Sequence, residues 1–104
     1  MSKTISGRCL CGAVTFEFPP PTAFVSHCHC ETCRRAHAAP MVTWTRVADD
    51  QLTVAGGEHL RAFESSPGVT RRFCGTCGSP FSFVGDDTPG WTYLPVASFV
   101  DAPD

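Results

Sequence analysis

Short stretches in which hydrophobic and polar residues alternate, broken repeatedly by Gly and Pro, run along this chain. From Ala13 to Phe18 the order Ala-Val-Thr-Phe-Glu-Phe puts Val14, Phe16 and Phe18 on one face and Thr15 and Glu17 on the other. This predicts a half-buried strand. It stops at Pro19-Pro20-Pro21, whose missing N–H groups cannot pair in a sheet, and a second apolar run follows at Ala23-Phe24-Val25. Met41 to Val47, "MVTWTRV", is rich in β-branched and aromatic residues and predicts another strand, followed by a turn at Asp49-Asp50 and a short strand over Leu52 to Val54. Gly56-Gly57 turns the chain into "EHLRAFES", and a turn over Ser65-Ser66-Pro67-Gly68 precedes "VTRRFC". The Gly-Thr after Cys74 leads to "SPFSFV", and a last strand is expected from Trp91 to Val100. Only Glu31 to Ala39 reads as helix, of about two turns at most. Segments this short, with turn signals about every ten residues, predict a mostly β, small antiparallel fold in a single domain, residues 1–104.

Composition narrows this further. A chain of 104 residues supports one core, and its 42% hydrophobic and 17% charged residues, with nine Gly and nine Pro, favour short strands over long helices. A net charge of −2 provides no broad basic field, so nucleic acid and membrane are not expected as partners. The start, "MSKTISGRCLCGAVTF", has no apolar run of signal-peptide length, and no stretch approaches the roughly twenty apolar residues of a membrane span. The expected compartment is therefore the cytoplasm, where thiols stay reduced and a cysteine-dense chain binds metal in preference to forming disulfides.

The seven cysteines fall into three groups, Cys9-x-Cys11, Cys28-x-Cys30-x-x-Cys33 and Cys74-x-x-Cys77. A tetrahedral zinc takes thiolates at about 2.3 Å, and a Cys-x-x-Cys turn lets two of them converge while backbone N–H groups face the sulfurs. Cys28, Cys30 and Cys33 lie close enough to reach one ion together. The remaining Cys9, Cys11, Cys74 and Cys77 combine into a closed four-sulfur site that is structural by its coordination. A zinc with three protein ligands has an open fourth position, so the triplet is the expected reaction centre. Three thiolates leave that ion with surplus negative charge, which suits a soft incoming thiol better than the ionisation of water. The alternative is that His27, His29 or His37 completes a second structural site; His29, flanked by two ligands, should point away, whereas His27 and His37 are better placed.

These residues carry a resemblance. "GRCLCGAVTFEF", "HCHCETCRRAHAAP" and "SSPGVTRRFCGTCGSPFSFVGDD", in this order, resemble the glutathione-dependent formaldehyde-activating enzyme family, to which centromere protein V is also similar. The resemblance covers nearly the whole chain. It implies a mostly β fold with two zinc ions, one on Cys9, Cys11, Cys74 and Cys77 and the other on Cys28, Cys30 and Cys33, the same division that spacing gives. It also implies a carbon–sulfur lyase activity, the condensation of glutathione with formaldehyde to S-(hydroxymethyl)glutathione, and hence a small thiol and an aldehyde as partners. Relatives usually carry Gly-Ala where this chain has Ala38-Ala39. They also commonly continue beyond the strand matching "LPVASFVD", and if those residues close the pocket in relatives, the pocket here is expected to be more open or to be completed by a partner chain.

Arg34, directly after the last triplet ligand, is the candidate catalytic cation, either neutralising the zinc–thiolate centre or meeting a substrate carboxylate, and Arg35 is a weaker one; the alternative for both is a solvated arginine at the helix end. Arg71 and Arg72 could attract anionic glutathione, but they point to opposite faces of their strand, so at most one faces any given site, and surface charge is the expected reading. Trp44, Phe81, Phe83 and Trp91 are expected in the core, and Thr76 and Ser79 in support of the Cys74–Cys77 turn. A non-enzymatic module with two structural metals, or a thiol store built on the triplet, are the rival readings. Neither the physiological thiol nor the oligomeric state is legible in the chain.

Overall fold

The computed structural model describes residues 4–21 and 25–100. Ala23 and Phe24, of the run expected after the prolines, lie outside the described residues. The strands are β1 Ile5–Arg8, β2 Thr15–Phe18, β3 Val25–Cys28, β4 Val42–Ala48, β5 Thr53–Ala55, β6 Leu60–Ser66, β7 Val69–Cys74, β8 Pro80–Gly85 and β9 Trp91–Pro95; one helix, α1, covers Glu31–His37. They form a three-stranded sheet, β1-β2-β5, and a six-stranded sheet, β3-β4-β9-β8-β7-β6, with antiparallel pairing throughout. The expected mostly β, antiparallel architecture with one short helix is what the chain adopts.

The two sheets enclose the main core. Val14, Phe16 and Phe18 are buried as the alternation predicts, and they meet Ile5, Val47, Phe81 and Leu94. Phe16 sets its ring edge-on to Phe81 at 5.7 Å and to Phe99 at 5.6 Å, a favoured aromatic geometry. Strand β1 has no alternating pattern in the sequence, and its position depends on Gly7. A Cβ there would lie 2.6 Å from the Ser98 carbonyl oxygen and on top of the Phe16 ring, so only glycine permits this approach.

The opposite face of the large sheet carries a second, smaller core of Cys33, Val42 and Trp44, with Cys28, Phe83 and Tyr93 packed against it. A register shift lets β8 serve both cores. Arg72 pairs with Ser82 but Phe73 pairs with Pro80, so Phe81 is an extra residue on its strand. In a regular strand Phe81 and Phe83 would share a face; the bulge sends Phe81 into the main core and Phe83 towards α1. Trp91 is only half-buried, with the Arg46 guanidinium 4.3 Å from its ring. The strand expected over Trp91 to Val100 ends at Pro95, and a single 3₁₀ turn, Val96–Ser98, follows. Likewise β6 runs on through Ser66, so the turn after it is confined to Pro67-Gly68.

Candidate metal centres

Two groups of sulfur atoms converge. In each, all ligand atoms lie within 4.8 Å of one another: Cys9, Cys11, Cys74 and Cys77 in the first, Cys28, Cys30 and Cys33 in the second. Thiolates at about 2.3 Å from a tetrahedral ion would be about 3.8 Å apart, and the observed Cys9–Cys11 and Cys11–Cys74 sulfur separations are 3.6 Å and 3.8 Å. The donor set therefore fits a thiophilic ion such as zinc. The division of the seven cysteines expected from spacing is the one the fold brings together.

The first group is built by two loops. After β1 the chain turns tightly, the Cys9 N–H donating to the Val14 carbonyl and the Gly12 N–H to the Cys9 carbonyl, which projects Cys9 and Cys11 together. Cys74 ends β7, and the Gly78 N–H closes the next turn on the Cys74 carbonyl at 2.7 Å. Ser79 joins the loops: its hydroxyl accepts from the Leu10 N–H at 3.0 Å and lies 3.1 Å from the Cys77 sulfur. The Ser79 hydroxyl, followed by backbone N–H groups, lowers the Cys77 thiol to about 5. The expected supporting role of Ser79 is seen, whereas Thr76 is exposed.

The second group sits where β3 passes into α1. Cys28 ends the strand, Cys30 is the helix N-cap and Cys33 lies in the first turn. The Cys33 N–H donates to the Cys30 sulfur at 3.4 Å, the bond that contributes most to lowering the Cys30 thiol to about 7. Burial raises Cys28, 3.2 Å from the Cys30 sulfur, to about 11. Cys33 is buried, Cys28 half-buried and Cys30 exposed, so the group has an open side.

Among the described residues no histidine nitrogen joins these three sulfurs within 4.8 Å. His27 Nδ1 lies 2.8 Å from the Thr43 hydroxyl, His29 is exposed, and His37 packs edge-on against Trp44 at 5.1 Å. Burial and then the Arg71 charge lower the His37 pKa.

Arg34 is exposed in the last turn of α1, and Arg35 pairs with Glu31 on the helix surface. Among the described residues the cation that reaches this group is Arg71, at the Cys33 sulfur. Only 7% exposed, it donates from Nη2 to the Cys33 sulfur at 3.4 Å and from Nε to the Ser65 hydroxyl at 3.0 Å. Surface charge is thus the wrong reading for Arg71. Strand parity correctly set it opposite Arg72, which bonds Ser82, but parity does not say which face α1 covers. A pocket of about 410 Å³ lined by Arg8, Cys9, Ser79 and Ser98 borders the four-cysteine group and touches α1 through His37.

Residues 4–104 match the family model described as glutathione-dependent formaldehyde-activating enzyme. An uncharacterized lyase of Schizosaccharomyces pombe is 31% identical over 78 residues, covering 75% of this chain; the chain spans 56% of that relative's length. A crystal structure of a Rhodobacter sphaeroides protein superposes with a TM-score of 0.77 at 24% identity, covering 94% of this chain and 90% of the other, which shows a shared fold. With the cysteine groups assembled as described and a family match running from residue 4 to residue 104, the chain belongs to the glutathione-dependent formaldehyde-activating enzyme family.

Proposed function

We propose that the protein is a zinc-dependent carbon–sulfur lyase whose substrates are a small thiol, glutathione, and formaldehyde or a related carbonyl. Cys9, Cys11, Cys74 and Cys77 would hold a structural zinc, and Cys28, Cys30 and Cys33 the zinc of the reaction centre. The observation that carries this reading is the second group: three converging sulfurs, open on the Cys30 side, which no histidine nitrogen among the described residues joins. Four thiolates close a tetrahedral site, whereas three leave a position for an outside ligand. When bound there, zinc would favour the ionised form of an incoming thiol and fix its position.

The chain's own residues supply the rest. Cys28 and Cys33, held by β3 and α1 against Trp44, make the site rigid, and the Arg71 guanidinium offsets thiolate charge from the buried side. Arg34, exposed at the end of α1, is the candidate to meet a substrate carboxylate. In the overall condensation the thiol sulfur bonds to the carbonyl carbon, the π pair of the C=O moves to oxygen, and the thiol proton ends on that oxygen. Nothing is oxidised or reduced. Holding the sulfur and the carbonyl in register is the principal gain the protein provides.

The uncatalysed condensation is the reference. Exchange between formaldehyde and S-(hydroxymethyl)glutathione, followed by NMR with ¹³C-labelled formaldehyde, should accelerate with zinc-loaded protein and return to the protein-free rate in Cys30→Ser. Equal rates with and without protein would refute the activity and leave a zinc-binding module with two structural sites.

A further inference from the structure

A guanidinium cannot be left in an apolar interior without an anion. Arg71 is 7% exposed, with its guanidinium 5.3 Å from the Phe83 ring and 5.9 Å from the Trp44 ring. Among the described residues its polar partners are the Ser65 hydroxyl and the Cys33 sulfur, neither of them a carboxylate. The counter-charge it faces is therefore the three-cysteine group. The geometry also shows how the side chain is held. The pairing of β6 with β7 slips between Glu64, opposite Thr70, and Ser66, opposite Val69, so Ser65 is the extra residue of a bulge. A bulge re-aims one side chain relative to its strand, and here the re-aimed hydroxyl accepts from Arg71 Nε.

We propose that Arg71 is a positioning residue of the three-cysteine site: it neutralises the surplus charge of three thiolates on one divalent ion and fixes the Cys33 sulfur, while bulged Ser65 locks its orientation. The inference rests on the reading of this group as a metal site. It assigns to β6 and β7, outside the segment that carries the ligands, control over how firmly the second metal is held. Outer partners of metal ligands commonly change affinity by about 10–100-fold.

Chelator competition on zinc-loaded protein, with metal content counted per chain, tests this together with the absorption of the cobalt-substituted form. Arg71→Met keeps the bulk beside Trp44 and Phe83 but removes charge and donors; it should weaken the second zinc by about 10–100-fold while the first is held as in the wild type. Loss of an N–H donor to Cys33 raises the energy of the sulfur lone pairs, so the thiolate-to-cobalt band should move to lower energy. Arg71→Lys, which keeps the charge without the fork, should restore part of the affinity, and Ser65→Ala should show a smaller loss in the same direction. If Arg71→Met does not fold, Ser65→Ala and Arg71→Lys still decide the matter, since wild-type affinity and an unmoved band in both would overturn the proposal. Unchanged second-site affinity in folded Arg71→Met would overturn it as well and leave the metal reading intact. A wild-type protein that binds one zinc per chain would overturn the metal reading itself, and the role of Arg71 with it.

Discussion

Replacing Ala38 by glycine should stabilise the protein. Ala38 closes α1 in the left-handed region, φ 52° and ψ 46°, the one non-glycine residue with positive φ among those described. The conformation is needed because it turns the chain so that the Ala39 N–H can bond the Arg34 carbonyl at 3.1 Å, satisfying a helix-end acceptor. A residue with a Cβ pays about 1–2 kcal/mol for this geometry. Glycine removes that cost but enlarges the freedom of the unfolded chain, which returns about 0.4–1 kcal/mol. The Ala38 side chain is exposed, so its methyl contributes little burial. The net expectation is a stabilisation of about 0.5–1 kcal/mol, a rise in Tm of about 2–8 °C for a domain of this size. Melts must be made at fixed, saturating zinc, because metal bound to the folded state alone adds to apparent stability. Ala39→Gly, with the same change in composition at a position of ordinary φ, is the control and should destabilise. The reasoning fails if Ala38→Gly melts at or below the wild type, or if the two variants shift alike.

Further expectations concern the metal groups. Cys30→Ser should lose one of two zincs by metal analysis yet keep its circular dichroism spectrum, because serine is itself a favourable N-cap and Cys30 is exposed; an unfolded variant would make the triplet scaffold. With the four-cysteine site loaded and the second site stripped, iodoacetamide at pH 7 should label Cys30 before Cys28. Cys30, lowered to about 7, is then partly thiolate, whereas Cys28, raised to about 11, is protonated, and peptide mapping that finds the reverse order refutes the assignment. Cys77→Ser should unfold the protein. A structural zinc contributes about 10–16 kcal/mol of apparent binding free energy, which matches or exceeds the stability of an ordinary domain, about 5–15 kcal/mol; a native-like spectrum in this variant would refute the role of the first site.

What the sequence reveals, and what it hides, follows from the range of each interaction. The alternation in β2 and the grouping of seven cysteines are local patterns, and both survive folding intact. The bulges at Phe81 and Ser65 are properties of a strand and its partner together, so neither strand's sequence announces them. The position of β1 depends on a ring and a carbonyl that come from distant segments. Arg71 was hidden for the same reason: its environment is created by the docking of α1 on the far face of the sheet.

That arrangement makes the two sites unequal. Strand β7 carries Cys74 into the main core and, three residues earlier, Arg71 towards Cys33 on the opposite face. One extended strand therefore contributes to both sites, and the unfolding expected of Cys77→Ser would take the second site with the first. Losing the triplet, by contrast, would free the junction between β3 and α1 and leave Arg71 without its counter-charge, while the main core stays closed. Metal stoichiometry should report this directly. Cys77→Ser should lose both zincs and Cys30→Ser only one, and a Cys77→Ser protein that retained the second zinc would show that the two sites are independent.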